Sequence, residues 1–413
     1  ISGLNASFPE LNKLRPIRPV WLTARTLVNA LGAGLDATRR GLREQRTGLR
    51  PCDFLDARLP AWIGRVDGLE DRPVTARLAP YDSRNNRLAQ FCLRHDGFIA
   101  AVDDARHRYG PDRIAVILGT STSGILETEL AYRHRDPASG SLPPGFSYRC
   151  THNTFAGADF VRHYLALGGP ALAVSTACSS SAKVFASAAR MLASELCDAV
   201  VVGGVDSLCL TTLYGFSALQ LVSDEPCRPA DAARKGISIG EGAGFALLER
   251  ARASDGDGLA LLGYGESSDA HHMSAPHPEG LGAAKAMALA LARAGVEPAA
   301  VDYVVLHGTA TRANDSTEDL AMCRVLGPET PSSSIKGWIG HTLGAAGIMN
   351  ALVCCLCLEN GFAPPSLNTR VVDPAFSGNI LIQELNRPLR TVLCNAFGFG
   401  GNNASLLLGR VAP

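Results

Sequence analysis

Two kinds of hydrophobic pattern recur along the chain, short apolar runs of strand length and longer segments with helical spacing, and they alternate. Residues 20–28 (VWLTARTLV) read as a strand, followed by a turn at 30–34 and a basic helix ending near Gly48. Residues 113–119 (RIAVILG) form a continuous apolar run expected of a buried strand. Leu172 and Val174 alternate as a strand does, and Phe185, Ala188, Ala189, Leu192 and Leu196 then follow the i, i+3, i+4, i+7 spacing of a helix. A strand at 199–202 with a turn at 203–206 comes next. The glycine-rich turn at 240–244 leads into a strand, not a helix, so it reads as structural and not as a phosphate loop.

The character restarts around 254–258. A second series then runs through a strand (ALLGYG), a loop (SSDAHHMSAPHPEG), a helix at 283–294, a strand at 303–306, and a further helix. It ends with an apolar helix from Leu343 and a strand at 391–394. Strands alternating with helices predict an α/β fold with parallel sheets covered by helices. The halves also rhyme: a strand followed by ILGTSTSG in the first resembles a strand followed by LHGTAT in the second, and each half has a small-residue helix. An internal duplication is expected, with a first unit at 20–252, a second at 253–413, and 1–19 as an extension whose function is unreadable.

Between these elements, 53–81 is loop-rich. The stretch SRNNR at 83–87 predicts the start of one amphipathic helix through Leu88, Phe91, Ile99 and Val102, with Arg84 and Arg87 on its solvated face. With 413 residues, 39 Lys+Arg and 39 Asp+Glu, the chain has no net charge, which removes the global case for nucleic acid or an anionic membrane. The longest apolar run, 343–358, is interrupted by Asn350 and is expected to be a buried helix, not a membrane span. Residues 1–16 lack the order of a secretory signal, and the twelve cysteines read as reduced thiols of a cytoplasmic protein. Cys354, Cys355 and Cys357 lie within that apolar helix without a second pair at metal spacing, so packing is favoured over metal or redox chemistry.

One cysteine stands apart. Cys178, in ALAVSTACSSS, falls at a strand–helix junction, where unpaired N–H groups and the helix dipole favour a thiolate and small neighbours admit a substrate. His307, Lys336 and His341 likewise sit beside glycine-rich strand ends. Two histidines in such surroundings, with a candidate nucleophile available, point to chemistry more than to structure.

The motifs STACSSS at Cys178, LHGTAT at His307, IKGWIGHTLGAAG with Lys336 and His341, and NAFGFGGNN at 395–403 resemble those of the β-ketoacyl-acyl-carrier-protein synthases, condensing enzymes of the thiolase-fold superfamily. The order Cys, His, Lys, His, with gaps of 129, 29 and 5 residues, is similar to the elongating Cys-His-His branch. The resemblance implies a five-layered αβαβα fold in two pseudo-repeated halves, a homodimer, an acyl carrier protein as partner, and no metal or organic cofactor. It implies that Cys178 carries the acyl group and that the N–H groups of Cys178 and Phe399 form the oxyanion hole. His307 and His341 would stabilise an enolate, and Lys336 paired with Glu318 would organise the site. Thr309 and Thr311 would bind the phosphopantetheine arm. Phe399, between Phe397, Gly398 and Gly400, would gate the acyl pocket, and Asp269 and His272 would belong to a second gating loop. A locally capped turn is an equal reading of the last two.

Two departures stand out. Thr122 replaces the glycine or isoleucine often found beside the acyl pocket, and its hydroxyl would either favour a polar, hydroxylated or conjugated chain or bond to backbone without consequence. The helix that receives the carrier is thin in basic residues, with Arg84 and Arg87 alone. GTSTSG, SRNNR and SSDAHHMSAP together look like synthases of polyene or aryl-polyene clusters. Two other classes compete. A chain-length-factor-like subunit in a heterodimer would replace the nucleophile. A thiolase or initiating synthase would carry a second late cysteine, for which Cys394 is the only candidate, or asparagine in place of His341.

Overall fold

The computed structural model describes residues 8, 11, 14–250 and 258–411. The expected boundary at 252–253 and the restart at 254–257 lie outside the described residues. Ten strands form the main path of an 11-stranded sheet. In chain order they are β1 (Val20–Asn29), β2 (Ile114–Gly119), β3 (Ala171–Val174), β4 (Ala199–Asp206), β5 (Gly242–Arg250), β6 (Gly258–Ser268), β7 (Tyr303–Val305), β8 (Ser332–Ser333), β9 (Thr391–Gly398) and β10 (Asn402–Val411). Their spatial order is β8-β7-β9-β10-β6-β1-β5-β4-β2-β3.

That order is two copies of one topology. Within each set of five, the third strand lies at the outer edge, followed by the second, fourth, fifth and first. The second strand pairs in parallel with the third and fourth, whereas the fifth runs antiparallel to the fourth and the first. Among the described residues, the strands of the two sets pair at Val20 opposite Leu261 and Trp21 opposite Ala260. The expectation of parallel sheets is therefore corrected to mixed sheets. In the second set the fourth and fifth strands are joined by a short turn and pair antiparallel, while crossover helices serve the parallel pairs; the first set keeps the same pairing across a longer connection.

Helices α3 (Ser180–Ala193) and α6 (Ala346–Asn360) follow the third strands of the two sets and pack against each other in the centre. Small residues allow the approach: a Cβ on Gly347 would stand 2.3 Å from the Ala182 nitrogen. The Ser181 hydroxyl accepts the Ile348 N–H at 2.9 Å, a polar stitch across an otherwise apolar contact. Phe185, Ala188, Ala189 and Leu192 are buried as the spacing requires, but the helix ends at Ala193 and Leu196 is 60% exposed. The stretch Leu343–Asn360 is long and apolar enough by composition to cross a membrane, and nearly all of it is buried in the core, with Cys354, Cys355 and Cys357 inside.

Several local expectations need correction. The helix expected from SRNNR is two helices, α1 (Arg84–Leu93) and α2 (Phe98–Tyr109), separated by positive-φ Asp96 and Gly97. Arg84 is not on a solvated face; it is buried, with its guanidinium on the buried Glu241 carboxylate at 2.6 and 2.9 Å and on Glu70. Arg87 is held by Asp82, so neither arginine stands free for a carrier. Residues 203–206 continue β4 instead of turning. Gly203 and Gly204 are needed in the strand because Cβ atoms there would meet Phe245 at 2.4 Å and Ser181 at 2.4 Å. The 240–244 segment is structural as expected, and most of it is already part of β5. Of residues 1–19, Phe8 and Leu11 are buried in the cluster containing Met287 and Leu291 of helix α4 (Leu281–Ala294).

Candidate active site

Every element of the site ends a strand or begins a helix at one end of the double sheet. After β3 the chain turns through Ala177, whose φ of 51° is in the left-handed region, and presents Cys178 two residues ahead of α3. That conformation costs an alanine about 1–2 kcal/mol, held here by the surrounding packing. In the second half, β7 delivers His307. The connection from β8 to α6 carries Lys336 and His341, and Leu343 there also has a φ of 51°.

These pieces converge. His341 Nε2 lies 3.1 Å from Cys178 Sγ, and the His307 and His341 rings stand edge to face with centroids 5.2 Å apart. The sulfur and one nitrogen of each ring fall within 4.8 Å of one another. By distance alone that trio could hold a soft metal ion, but the Lys336 ammonium beside it acts against a second cation there. All three side chains are buried and line a cavity of about 500 Å³, together with Asp269, Thr309, Thr311, Phe397, Gly398 and Phe399.

The electrostatics correct one expectation. Burial pushes the Cys178 thiol up to about 11, and the opposing pull of Lys336 and of the Phe399 and Cys178 backbone N–H groups does not overcome it. At pH 7 Cys178 is therefore a thiol. Desolvation, aided by the nearby Lys336 charge, also holds both histidines well below the ordinary imidazole range, so both rings are neutral at pH 7. Lys336 is itself lowered to about 8 by burial, against the attraction of Glu318.

Lys336 and Glu318 act on one peptide, not on each other through a direct ion pair among the described contacts. The Lys336 Nζ donates to the His307 carbonyl. The Glu318 carboxylate, from helix α5 (Arg312–Leu326), accepts the His307 N–H at 2.8 Å, the Gly308 N–H at 2.7 Å and the Asn395 amide at 3.0 Å. His307 is thus gripped on both sides of its backbone. Asn350, the polar break in the apolar helix, donates to Leu306 and Asn395 carbonyls and ties α6 to the same strand ends.

The residues expected to form the gate separate into two groups. Gly398 allows the 397–399 segment to lie against the nucleophile turn, since a Cβ there would stand 2.7 Å from the Thr176 oxygen and 3.2 Å from the Cys178 nitrogen. Gly400, at φ 79°, donates its N–H to the Met273 carbonyl at 2.7 Å, and Asp269 accepts from Asn403 and donates its own N–H to Gly401. Asp269 therefore joins the two loops. His272 does not: it is exposed, and its Nδ1 accepts the Ser274 and Ala275 N–H groups, a locally closed turn. Phe399 packs on Phe216 at 5.8 Å, and the Thr309 and Thr311 hydroxyls are 2.9 Å apart in the cavity wall.

Thr122 is absent from the cavity wall. Its hydroxyl donates to the Asp206 side chain at 2.9 Å, so it neither faces the acyl chain nor bonds to backbone. Asp206 itself, at the end of β4, was not singled out by sequence reasoning. The signal was a carboxylate after two glycines at a strand end, with three hydroxyl residues at the neighbouring strand end.

Comparisons with known proteins agree with this geometry. Residues 87–254 match the beta-ketoacyl synthase N-terminal domain and 260–370 the C-terminal domain. The chain is 38% identical to 3-oxoacyl-[acyl-carrier-protein] synthase 2 of Rhizobium meliloti (strain 1021), over 95% of this chain and 99% of that protein. It is 30% identical to the mitochondrial 3-oxoacyl-[acyl-carrier-protein] synthase of Arabidopsis thaliana, over 95% and 94% of the two chains. A chain of the ketosynthase–chain length factor complex from Xenorhabdus doucetiae superposes with a TM-score of 0.86 at 37% identity, covering 95% of this chain and 98% of that one. Two halves of one topology, a buried cysteine facing a histidine pair, and these matches place the chain in the β-ketoacyl synthase family of acyltransferase-type condensing enzymes.

Proposed function

We propose that the chain joins an acyl group carried on Cys178 to the two-carbon unit left when a malonyl thioester on an acyl carrier protein loses carbon dioxide, giving a β-ketoacyl-carrier protein. The contact that carries this reading is Cys178 Sγ to His341 Nε2 at 3.1 Å, with His307 beside it in the same cavity.

In the first half-reaction the Cys178 sulfur attacks the acyl thioester. The oxygen that becomes negative is held by the Cys178 and Phe399 N–H groups, each such donor being typically worth about 3–4 kcal/mol. The exchange is proton-neutral, because the cysteine proton ends on the departing pantetheine sulfur. A resting thiol with His341 at 3.1 Å therefore suits it. In the second half-reaction the C–CO₂ bond of the malonyl group breaks and its electrons move to the thioester oxygen. Neutral His307 and His341 each offer an N–H to that oxygen without surrendering the proton, which their low basicity favours. The carbanion attacks the acyl-cysteine carbonyl, a C–C bond forms, and the sulfur leaves as thiolate and takes up a proton. No step calls for a metal or organic cofactor. Thr309 and Thr311 would steady the pantetheine arm and Phe399 would gate the acyl side.

The partner is proposed to be an acyl carrier protein, in the cytoplasm where Cys178 stays reduced. The outer side of edge strand β3 pairs with no strand among the described residues, and its Leu172 is 45% exposed, which suits a subunit interface. A second copy would make a homodimer; the likeness to the chain length factor complex makes a heterodimer the reading to test against it by native mass spectrometry. The proposed chain is conjugated, of the polyene or aryl-polyene kind; with Thr122 bonded internally, this rests on the loop motifs alone.

The test is product formation and carbon dioxide release from malonyl- and acyl-carrier thioesters. Both are expected in equal amounts. No product across a range of primers would overturn the reading and favour a non-condensing subunit. Recovery of only saturated chains on the native carrier would overturn the conjugated one.

A further inference from the structure

The buried carboxylate of Asp206 accepts hydrogen bonds from three consecutive residues of one loop and from the segment that carries His341. Thr120, Ser121 and Thr122 donate their hydroxyls at 2.6, 2.6 and 2.9 Å. The Ser121 and Thr122 N–H groups donate at 3.0 Å each, and the Gly344 N–H at 2.6 Å. Gly344 is three residues after His341, and a Cβ on it would stand 2.7 Å from the Asp206 oxygen and 2.6 Å from the Ser121 nitrogen. On the other side, the Thr120 N–H donates to the Val174 carbonyl at 3.1 Å, at the end of the strand that leads to Cys178. A buried acceptor in contact with this many donors has few arrangements available, so a network of this kind fixes the segments that supply them.

We propose that Asp206 is a positioning residue for the condensation: by binding the 120–122 loop and Gly344 at once, it sets the register between the Cys178 turn and the His341 turn, and with it the distance between sulfur and imidazole. The proposal rests on the functional reading above. Asp206 touches neither substrate nor the reacting atoms; it acts through the backbone of both turns. Its negative charge also lies near enough to Cys178 to disfavour the thiolate, in opposition to Lys336. The carboxylate thus gives a second, electrostatic readout that a purely structural strut would not.

The experiment compares the parent with Asp206→Asn and Asp206→Glu in the full chain. Asparagine keeps the volume but turns one acceptor into a donor facing donors. Condensation kcat is expected to fall about 100-fold, the size of effect that a misplaced reacting pair produces, with KM for the carrier substrates changed less than about twofold. The pH midpoint for alkylation of Cys178 by iodoacetamide is expected to move down in Asp206→Asn and to return toward the parent value in Asp206→Glu. A folded Asp206→Asn protein with the parent kcat and the parent alkylation midpoint would overturn the proposal. Should Asp206→Asn not fold, Ser121→Ala and Thr122→Val remove single donors. Graded losses of kcat in both are expected, and parent rates in both would overturn it. Should the parent itself make no product, the condensing assignment fails, while an unshifted alkylation midpoint in Asp206→Asn would separately overturn the clamp.

Discussion

The two halves present corresponding connections, from third strand to central helix, and use them differently. In the first, β3 runs through Ala177 into Cys178 and α3; in the second, β8 runs through Lys336, His341 and Leu343 into α6. Both connections hold a residue at φ 51°, and both central helices are small-residue and buried. The first connection is short and delivers a thiol ahead of a helix. The second is longer and delivers an imidazole, with a lysine that reaches back to the His307 carbonyl. A duplicated framework thus brings two strand–helix junctions face to face, and they differ in a few residues. In the proposed reaction one side holds the acyl group and the other generates its attacker.

That division can be broken from either side. Cys178→Ala should lower condensation by at least about 10⁴-fold while leaving carbon dioxide release from malonyl-carrier measurable, since the histidine pair is intact. Radiolabelled carbon dioxide and product are counted in the same sample. His307→Ala should do the reverse, allowing Cys178 to be acylated but slowing decarboxylation by about 10²–10³-fold, the usual cost of a lost oxyanion donor, whereas His341→Ala should slow both steps because it also removes the proton acceptor beside the thiol. Intact-protein mass and carbon dioxide release separate the two steps.

The pH dependence sharpens the comparison. Cys178 alkylation should rise toward a midpoint near 11, whereas condensation should decline as pH rises through about 8 and Lys336 loses the charge that helps hold His307. On the acid side, protonating the histidines removes both the proton acceptor and the neutral donors. Because burial lowers both, activity should persist below pH 6.5, the ordinary imidazole value, and fail only well beneath it. A rate profile with buffers from acid to pH 9 checks both limbs. The smallest effect is expected from Gly400→Ala, whose Cβ would meet the Asn402 amide at an ordinary 3.4 Å but which strains the left-handed backbone by about 1 kcal/mol, visible as a small fall in Tm. Gly398→Ala, whose Cβ meets the nucleophile turn itself, should cost more activity than Gly400→Ala in the same assay.

The residues that converge in the cavity were legible in the sequence because each is an isolated polar or thiol group beside a glycine-rich strand end. The strand–helix alternation and the rhyme between halves were legible for the same reason: apolar periodicity reports burial. What was not legible depended on long-range partners. Arg84 looked solvent-facing because its carboxylate, Glu241, is 157 residues away, and two buried opposite charges leave no local signature. Thr122 looked like a pocket residue because its acceptor, Asp206, is 84 residues away. The nature of the thiol was misjudged because a helix N-terminus is a local feature, whereas the desolvation that outweighs it comes from the whole fold. The strand at 203–206 was missed because two glycines signal a turn unless the helix packed over them is known.

The central claim is that an acyl group on Cys178 is consumed by a carbanion made at His307 and His341. It is tested most directly by acylating the protein, isolating it, and adding malonyl-carrier in a single turnover. The account predicts that the acyl mass leaves the Cys178 peptide as one equivalent each of carbon dioxide and β-ketoacyl-carrier appears. An acyl mass that stays on Cys178 while product accumulates would contradict it.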